Sequence, residues 1–437
     1  MRKLLHPFFR CVLSVAGLAM FLACSSGSSS SGVTPVAAPS NLVYSGNPLT
    51  CRVGSAITPL TPSAGGGAIL SYAVTPALPA GLNLNTGTGV LAGTPSVVSS
   101  TAAYTVTATN AGGSTTAILT LTVQAALVTD VYVAGYESNG TNNAAKVWKN
   151  GIATALTDGT KEAGAASVWA SGSDVYVVGS ESNGFRQMAK IWKNGVPTSL
   201  TPGPEGSIAR SVVVSGTDVY VSGEESNGSL YAAKVWKNGV ATPLTNGTRS
   251  SSASFVTVSG TDVYVAGSES NGTAAVAKVW KNGTAIPLSD GTRNAAAASV
   301  AVSGSDVYAA GWEFVGSKYV AKVWKNGLAA SLTDGVADGM AYGVAVAGSD
   351  VYVVGNSLHG GKDTATVWKN AVPSYLSDGT QYTYATAIFV SGTDIYVAGS
   401  IFIGTKDVPT VWKNGVPTLL TDGTRQAYPN SIFVHVH

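Results

Sequence analysis

The sequence predicts an all-β protein in which a small β-sandwich is followed by a seven-bladed β-propeller. The first observation is a repeat of 44 residues, in which Asp-Val-Tyr or Asp-Ile-Tyr is followed by a tryptophan eighteen residues after the aspartate. Periods in the forties built from strand-like segments are typical of β-propellers. The second observation is that Asp130 to His437 spans 308 residues, seven times 44, so we expect seven units to close into a ring. The repeats begin at Asp130, Asp174, Asp218, Asp262, Asp306, Asp350 and Asp394, and their tryptophans are Trp148, Trp192, Trp236, Trp280, Trp324, Trp368 and Trp412.

The first 23 residues are typical of a secretory signal peptide. A positively charged start, residues 1–10, precedes an apolar run, Cys11–Ala23, that is too short to span a bilayer. The string Phe21-Leu22-Ala23-Cys24 resembles the lipobox of bacterial lipoproteins, whose cysteine carries the lipid, and departs from it at Phe21, where leucine is usual. We therefore expect lipidation at Cys24, a Ser/Gly-rich tether over 24–37, and anchoring to a bacterial membrane, at the outer membrane or cell surface. A plain cleaved signal peptide is the alternative.

Composition limits the classes of partner. The chain has 25 Lys and Arg against 23 Asp and Glu, but three of the basic residues lie in the signal segment, which leaves 22 against 23. No basic stripe remains that would bind nucleic acid. Cys11 leaves with the signal and Cys24 carries the lipid in this interpretation, so Cys51 has no partner for an intrachain disulfide. We expect a monomer stabilised by packing.

The segment before the repeats, residues 38–124, predicts the sandwich. Small and β-branched residues alternate in Tyr104–Thr109 and Ala117–Gln124, as they do in half-buried strands. Three motifs, Leu78–Leu84, Thr88–Pro95 and the strand that begins at Tyr104, resemble the He_PIG domain of bacterial surface proteins and stand in that family's order. The resemblance implies a cadherin-like, Ig-like fold and a spacer or adhesive role.

Calcium is the cofactor that this resemblance raises, because the wider group often binds it between domains. Calcium needs six to eight oxygen ligands, several of them from carboxylates, and the segment 33–129 contains no Asp or Glu. We therefore expect no cofactor within this domain. A calcium site at the domain junction, shared with Asp130 or Glu137, is the alternative that the sequence leaves open.

Each repeat in 125–437 predicts one blade of four antiparallel strands. In the third copy the strands are Ser211–Val214, Val219–Gly223, Ala232–Trp236 and Val240–Leu244, and an Asn-Gly reversal joins the last two. The outline resembles the blade of WD-repeat proteins, without the Trp-Asp and Gly-His signatures. The end of the chain, Ser431–His437, aligns with a first strand, so we expect one blade to be assembled from both ends of the propeller segment. A crossover at the loop between the second and third strands is the alternative phase.

The two faces of the predicted ring differ. The first-to-second and third-to-fourth strand turns repeat almost unchanged on one face, whereas the other two loops are longer and vary on the other face. Loops on a rigid scaffold often carry function, so we predict that the variable face binds a ligand, with drift of unconstrained loops as the alternative. The candidate binding residues on this face are Lys161, Glu205, Arg249, Arg293, Trp312, Gln381 and Arg425.

Other repeated residues have a structural interpretation. We expect the in-register tryptophans to fill the core, the repeated Asp to bond amides of its turn, and Glu-Ser-Asn-Gly to cap a reversal rather than form a sugar pocket. We expect no metal site, although His435 and His437 would need only a third ligand to hold zinc. The histidines match no nucleophile motif, so we expect no catalytic residues.

The function that these observations favour is that of a non-catalytic cell-envelope lipoprotein. Its propeller would present a binding face to a protein or glycan partner, in adhesion or as a scaffold. A lectin with repeated sugar pockets and a propeller hydrolase or lyase are the alternatives. The positions equivalent to Tyr136 differ among the seven repeats, which argues against seven equal sugar sites.

The lipid anchor can be tested with one substitution. Because the lipid attaches through the cysteine sulfur, we expect Cys24→Ser to abolish membrane association in detergent phase separation. Cys51→Ser is the matched control, since it removes a thiol without touching the anchor. A Cys24→Ser protein that still fractionates with membranes would contradict the lipoprotein interpretation.

Overall fold

The computed structural model describes residues 34–201, 203 and 205–437, so the predictions for the signal segment and Cys24 fall outside the described residues. The described chain consists of strands and their connections, with no helix long and apolar enough to cross a membrane. Contacts divide the chain into two compact units, the first ending at Ala126 and the second spanning Leu127–His437.

The first unit is an Ig-like β-sandwich, as the sequence predicts. Its main sheet has the order β2-β8-β7-β4, with β2 parallel to β8, and two-stranded sheets pair β1 with β3 and β5 with β6. The core contains Leu91, Val106, Leu119 and Leu121, which are almost fully buried. The strands are β1 Pro39–Tyr44, β2 Leu49–Arg52, β3 Pro62–Gly66, β4 Ser71–Thr75, β5 Leu82–Leu84, β6 Leu91–Gly93, β7 Ser99–Asn110 and β8 Gly113–Gln124.

The second unit is a β-propeller of seven four-stranded sheets. Blade 1 comprises β9 Thr129–Ser138, β10 Asn143–Lys149, β11 Ile152–Ala155 and the last strand, β36 Ala427–Val436. Blade 2 comprises β12 Ala163–Ser171, β13 Asp174–Ser182, β14 Gln187–Lys193 and β15 Val196–Ser199. Blade 3 comprises β16 Ser207–Ser215, β17 Asp218–Ser226, β18 Tyr231–Lys237 and β19 Val240–Pro243. Blade 4 comprises β20 Ser251–Ser259, β21 Asp262–Ser270, β22 Ala275–Lys281 and β23 Thr284–Pro287. Blade 5 comprises β24 Ala295–Ser303, β25 Asp306–Val315, β26 Lys318–Lys325 and β27 Leu328–Ser331. Blade 6 comprises β28 Met340–Ala347, β29 Asp350–His359, β30 Lys362–Lys369 and β31 Val372–Tyr375. Blade 7 comprises β32 Thr383–Ser391, β33 Asp394–Ile403, β34 Lys406–Lys413 and β35 Val416–Leu419.

The ring closes through its last strand, which confirms the predicted phase. Strand β36 pairs antiparallel with β9, so blade 1 has the order β11-β10-β9-β36. In each blade the first strand is innermost, and the seven inner strands contact one another in a closed cycle: β36, β12, β16, β20, β24, β28, β32 and back to β36. Each inner strand therefore has a neighbouring blade on both sides around the ring.

The in-register tryptophans fill the space between blades, as predicted. All seven are at most 2% exposed. Trp192 of blade 2 packs with Tyr132 and Ala134 of blade 1, and Trp148 of blade 1 packs with Tyr396 of blade 7. Each tryptophan therefore joins its blade to the preceding one.

The repeated aspartate forms a clamp that differs from the predicted amide contact. In blade 3, Asp218 accepts a hydrogen bond of 2.8 Å from the Asn238 side chain and forms a 2.7 Å ion pair with Lys237. The side-chain oxygen of Asn238, not of Asp218, accepts the amide of Val219, at 2.8 Å. Asn238 has a left-handed conformation, with φ of 50°, in the Lys-Asn-Gly turn, and this places its side chain beside the Val219 amide.

This clamp recurs in every blade on the face that carries the short turns, here called the turn face. The ion pair with Lys237, and then the bond from Asn238, lower the pKa of Asp218 below its usual value. A lowered carboxyl pKa contributes stability above the usual pKa of aspartate, and that contribution is lost as the pH falls through the lowered value.

The opposite face, here called the loop face, carries connections shorter than predicted. In blades 1 to 4 the second and third strands are joined by four residues, such as 139–142, because the second strand continues through Glu-Ser of the repeated motif. The Asn139 side chain accepts two amides of its loop at 2.9 Å and donates to Gly159 at 2.8 Å, which is the predicted capping role. Glu137 pairs instead with Lys146 at 3.0 Å.

Loss of the closing strand is expected to destabilise the propeller. A chain ending at Asn430 loses Ile432, Phe433 and Val434, each less than 9% exposed, and burial of each such side chain is worth about 1.5–3 kcal/mol. We expect aggregation or a melting temperature about 10 °C lower or more by calorimetry. Removal of Val436 and His437 alone is the control and should have little effect. Equal melting of the long truncation and the parent would contradict closure by β36.

The one turn that lacks its glycine gives a second prediction. Ala371 replaces the turn glycine in blade 6 and has φ of 67°, a left-handed conformation that disfavours a side chain. We expect Ala371→Gly to raise the free energy of unfolding by about 1 kcal/mol or less, and the reverse change, Gly327→Ala in blade 5, to lower it. Urea denaturation midpoints measure both. A destabilising Ala371→Gly would contradict strain at this turn.

Candidate ligand-binding site at the channel mouth

A β-bulge occurs at the same place in every inner strand of the propeller. In blade 3 the pairing of β16 with β17 shifts between Ala209 and Ser211, so the backbone of Arg210 is not paired with a residue of β17. Because the inner strand starts at the loop face, the bulge lies near that end of the channel. Bulges redirect a side chain, and they are common beside functional sites.

The bulged residues form a ring around the channel. The residue before the bulge is alanine in six blades and proline in blade 1, whereas the bulged residue changes in chemistry from blade to blade. All seven line the central cavity, which has a volume of about 340 Å³. The ring, here called the bulge ring, consists of Ala166, Arg210, Ser254, Ala298, Tyr342, Thr386 and Asn430.

The channel is aromatic towards the turn face. Trp169, Phe389 and Phe433 occupy equivalent positions three residues beyond the bulge in neighbouring blades and line the cavity. The Trp169 and Phe433 ring centroids are 4.4 Å apart, and those of Phe389 and Phe433 are 5.1 Å apart. Trp169, which breaks the tryptophan register, is therefore a channel residue. The cavity thus has a variable mouth, and its interior is aromatic on the side of blades 7, 1 and 2.

Among the described residues, Arg210 is the one charged side chain in the cavity lining. Its Nε donates to both carboxylate oxygens of Glu224, at 2.8 and 2.9 Å, and Nη2 also bonds to Glu224. Glu224 is 3% exposed, so it needs this partner to stay charged, whereas the Arg210 side chain is 41% exposed. The pair is neutral overall, and its guanidinium remains accessible to a ligand.

Tyrosines gather on the opposite side of the mouth. Burial raises the pKa of Tyr342, Tyr384 and Tyr428, and the Asp363 or Asp407 carboxylate near each ring raises it further. These hydroxyls therefore stay protonated near neutral pH and can donate hydrogen bonds. Tyr342 already donates to the sulfur of Met340 at 3.0 Å.

A groove of about 400 Å³ on blade 2 joins the mouth. Ala166, Arg210 and Asn430 line both the groove and the channel, so the two spaces are contiguous. Such volumes lie in the range of small-molecule sites, which combine a few polar groups with a preformed concave surface. The other lining residues are Tyr136, Asn143, Glu162, Ala163, Gly164, Ala165, Gly179, Ser180, Gln187, Ile208 and Ala209.

Most sequence-predicted binding residues lie in the seven- or eight-residue connections between blades, on the loop face. Lys161, Arg249, Arg293 and Gln381 are exposed there, and Arg425 lies 3.8 Å from Glu137. Glu205 forms a 3.1 Å ion pair with Arg186 of the blade 2 loop. No hydrogen bond or ion pair joins any two of the predicted residues within the described part of the chain.

Trp312, predicted among the residues of the variable loops, does not lie in a loop. It lies within β25, opposite Ala296 and Ala321, and its ring meets Tyr319 edge to face at a centroid distance of 5.0 Å. The equivalent residues of the other blades, such as Tyr136 and Ser180, also lie in the second strand, which in every blade continues at least two residues past this position. Trp312 is half-buried and belongs to the blade surface.

The sequence interpretation missed the bulge ring and the groove. Aligning the repeats shows a varied position 36 residues after each aspartate, and Arg210 and Tyr342 stand out there. The alignment does not show which way these side chains point, because the bulge reverses the alternation along the strand. No group of three or more His, Cys, Asp or Glu side chains that could hold a metal lies among the described residues.

Several solved structures are similar at low sequence identity. A quinonprotein alcohol dehydrogenase-like protein from Bacteroides thetaiotaomicron is 10% identical, with 91% of this chain and 99% of that chain covered and a TM-score of 0.39. An auxiliary nutrient binding protein from the same organism is 10% identical, with 84% and 95% covered and a TM-score of 0.36. For TolB from Agrobacterium tumefaciens the identity is 9%, the coverage 71% and 98%, and the TM-score 0.38. With TM-scores below 0.5, none of these likenesses supports an inference about function.

The sequence comparison is informative for the first domain only. No curated protein matches the sequence significantly. The family model described as Putative Ig domain, He_PIG, matches residues 32–124, where the sequence motifs and the sandwich of β1–β8 both lie. This N-terminal domain is therefore a member of the He_PIG family.

Proposed function

We propose that this protein is a non-catalytic binding protein of the bacterial cell envelope, which takes up its ligand at the loop-face mouth of the propeller channel. The observation that carries the proposal is the bulge ring. One side chain per blade is redirected towards the channel at a place where the preceding residue is alanine in six blades, yet the redirected residues range from alanine to arginine and tyrosine. The fold alone does not require such different residue types at a position that is repeated in every blade.

The chemistry of the cavity supports binding rather than catalysis. General acid–base catalysis in water commonly needs paired carboxylates or an imidazole within reach of the substrate. The described cavity lining has Arg210 as its one charged residue and includes no Asp, Glu or His. His359 stacks on Tyr375 with ring centroids 3.8 Å apart, and neither residue lines the cavity.

The repeated turn face offers a partner less specificity than the loop face. It presents the same Asp-Lys-Asn clamp seven times, with the lysine over a tyrosine, for example 5.3 Å from the Tyr220 ring centroid. A partner that recognised this face would meet seven equivalent sites. The loop face differs between blades, which suits recognition of one ligand in one orientation.

The remaining parts of the chain fit an envelope role. A lipid at Cys24 and the Ser/Gly tether 24–37 would hold the protein at the membrane, and the He_PIG domain would space the propeller away from it. The partner is a protein or a glycan, bound in adhesion or as part of a scaffold.

The assignment of faces is tested by paired substitutions within single repeats. Arg249→Ala and Lys237→Ala belong to one repeat, and Arg293→Ala and Lys281→Ala to the next. The full chain is screened on a glycan array and against envelope extract, and the affinity of each variant for the ligand found is then measured. We expect the Arg249 and Arg293 variants to bind more weakly, by about two- to tenfold, because these side chains project from the loop face.

The turn-face lysines are suitable controls because an exposed ion pair contributes only about 0–1 kcal/mol, so their loss leaves the fold intact. Circular dichroism and melting temperature confirm the fold of each variant. If the lysine variants bound more weakly and the arginine variants bound like the parent, the assignment of faces would be reversed. Failure to bind any glycan or envelope protein would contradict the proposed function itself.

A further inference from the structure

The groove on blade 2 breaks the symmetry of the ring. At its centre, Gly164 of the inner strand pairs with Ser180 of the second strand, the smallest of the seven equivalent cross-strand pairs. The corresponding pair is Tyr428 and Tyr136 in blade 1 and Ile208 and Glu224 in blade 3. Two blades with large side chains therefore flank one with almost none, and the groove lies between them.

One wall of the groove is an aromatic ring. A Cβ placed on Gly164 would lie 3.8 Å from the Tyr136 ring, so this ring borders the space that the glycine leaves open. Tyr136 also stacks on Tyr428, with centroids 6.2 Å apart and planes 25° apart, and the stack fixes its orientation. Its ring is thus held at the groove before any ligand arrives.

The other walls offer both hydrogen-bond donors and acceptors. Gln187 Oε1 is buried and has no hydrogen-bond partner within the described residues. Asn430 donates to Ala165 at 2.9 Å, which leaves its side-chain oxygen as an acceptor. Arg210 bonds to Glu224 through Nε and Nη2, which leaves Nη1 as a donor. Glu162 is held by the Asn143 amide and side chain at 2.8 and 2.7 Å, so it is a fixed acceptor.

The charges and apolar groups of the groove narrow the class of ligand. Its charged lining residues are Glu162 and Arg210, and Glu224 already neutralises Arg210, so the groove has no unpaired positive charge to bind a phosphate. Ile208 is the one aliphatic lining side chain larger than alanine, which leaves no pocket for the apolar anchors of a protein partner. A neutral ligand rich in hydroxyls fits, because each hydroxyl both donates and accepts, and the apolar face of a pyranose stacks on an aromatic ring.

We propose that the blade 2 groove binds one or two sugar units of a neutral oligosaccharide, with a sugar ring against Tyr136 and hydroxyls bonded to Gln187, Asn430 and Arg210. This inference rests on the proposed function and names its ligand class. It differs from a lectin with seven equal pockets, because only blade 2 combines the small pair with these polar groups. The rest of the chain of sugars extends towards the channel mouth, which shares Arg210 and Asn430 with the groove.

The test fills the groove without removing any charged pair. Ser180→Trp places a large ring over the groove, and the fold accepts tryptophan at this position because Trp312 occupies it in blade 5. Ser268→Trp is the matched control: it is the equivalent serine in blade 4, it faces another small residue, Ser252, and it does not line the groove. The full chain and both variants are measured against an array of neutral oligosaccharides and the corresponding uronic-acid oligosaccharides.

We expect the parent to bind neutral oligosaccharides in preference to uronic ones, Ser180→Trp to lose at least tenfold in affinity, and Ser268→Trp to bind like the parent. Tyr136→Ala should also lose about tenfold, and Gln187→Ala about two- to tenfold, from the loss of the stack and of one hydrogen bond.

Three results would overturn the inference: no neutral oligosaccharide binds, Ser180→Trp binds like the parent, or Ser268→Trp loses as much as Ser180→Trp. If one of these results is found and a protein from envelope extract binds through the loop face, the sugar assignment is wrong but the proposed function is retained.

Discussion

Each blade of the propeller is joined to the preceding one by a single buried tryptophan, and every other feature of the ring depends on that contact. A blade alone cannot bury both faces of its sheet, so each face needs a neighbour. Trp192 fills the space between blades 2 and 1, and Trp148 does the same between blades 1 and 7. The second contact exists only because β36 completes blade 1 at the inner edge. Packing and closure are therefore one constraint.

This constraint keeps the two faces of the ring unequal. On the turn face, the Asp-Lys-Asn clamp and its left-handed asparagine fix the geometry of each reversal, and the same residues return in nearly every repeat. On the loop face, the connections are held by their own backbone and by a few capping side chains such as Asn139. Less of the sequence there is needed for folding, which leaves side chains such as Arg249 free to differ between blades.

The bulge links the scaffold to the proposed site. It lets the inner strand keep a buried alanine against the preceding blade while the following residue turns towards the channel. Arg210 can occupy such a position because Glu224 on the neighbouring strand satisfies its charge. The groove arises in the same way. Gly164 and Ser180 pair like the equivalent residues of the other blades but have no large side chains. The proposed binding site is thus built by substitution at positions that the ring does not need.

The sequence by itself determined the architecture, because its signals are local and repeated. The 44-residue period, the Asn-Gly reversals and the alignment of Ser431–His437 with a first strand specify seven blades, their turns and their closure, and a backbone preference at a turn does not depend on distant residues. Tertiary structure decided where the side chains point. Trp312 was expected in a loop and lies in a strand, and the bulge ring went unseen, because strand ends and bulges are set by cross-strand pairing. The groove likewise exists only where blades 1, 2 and 3 meet, which no single repeat encodes.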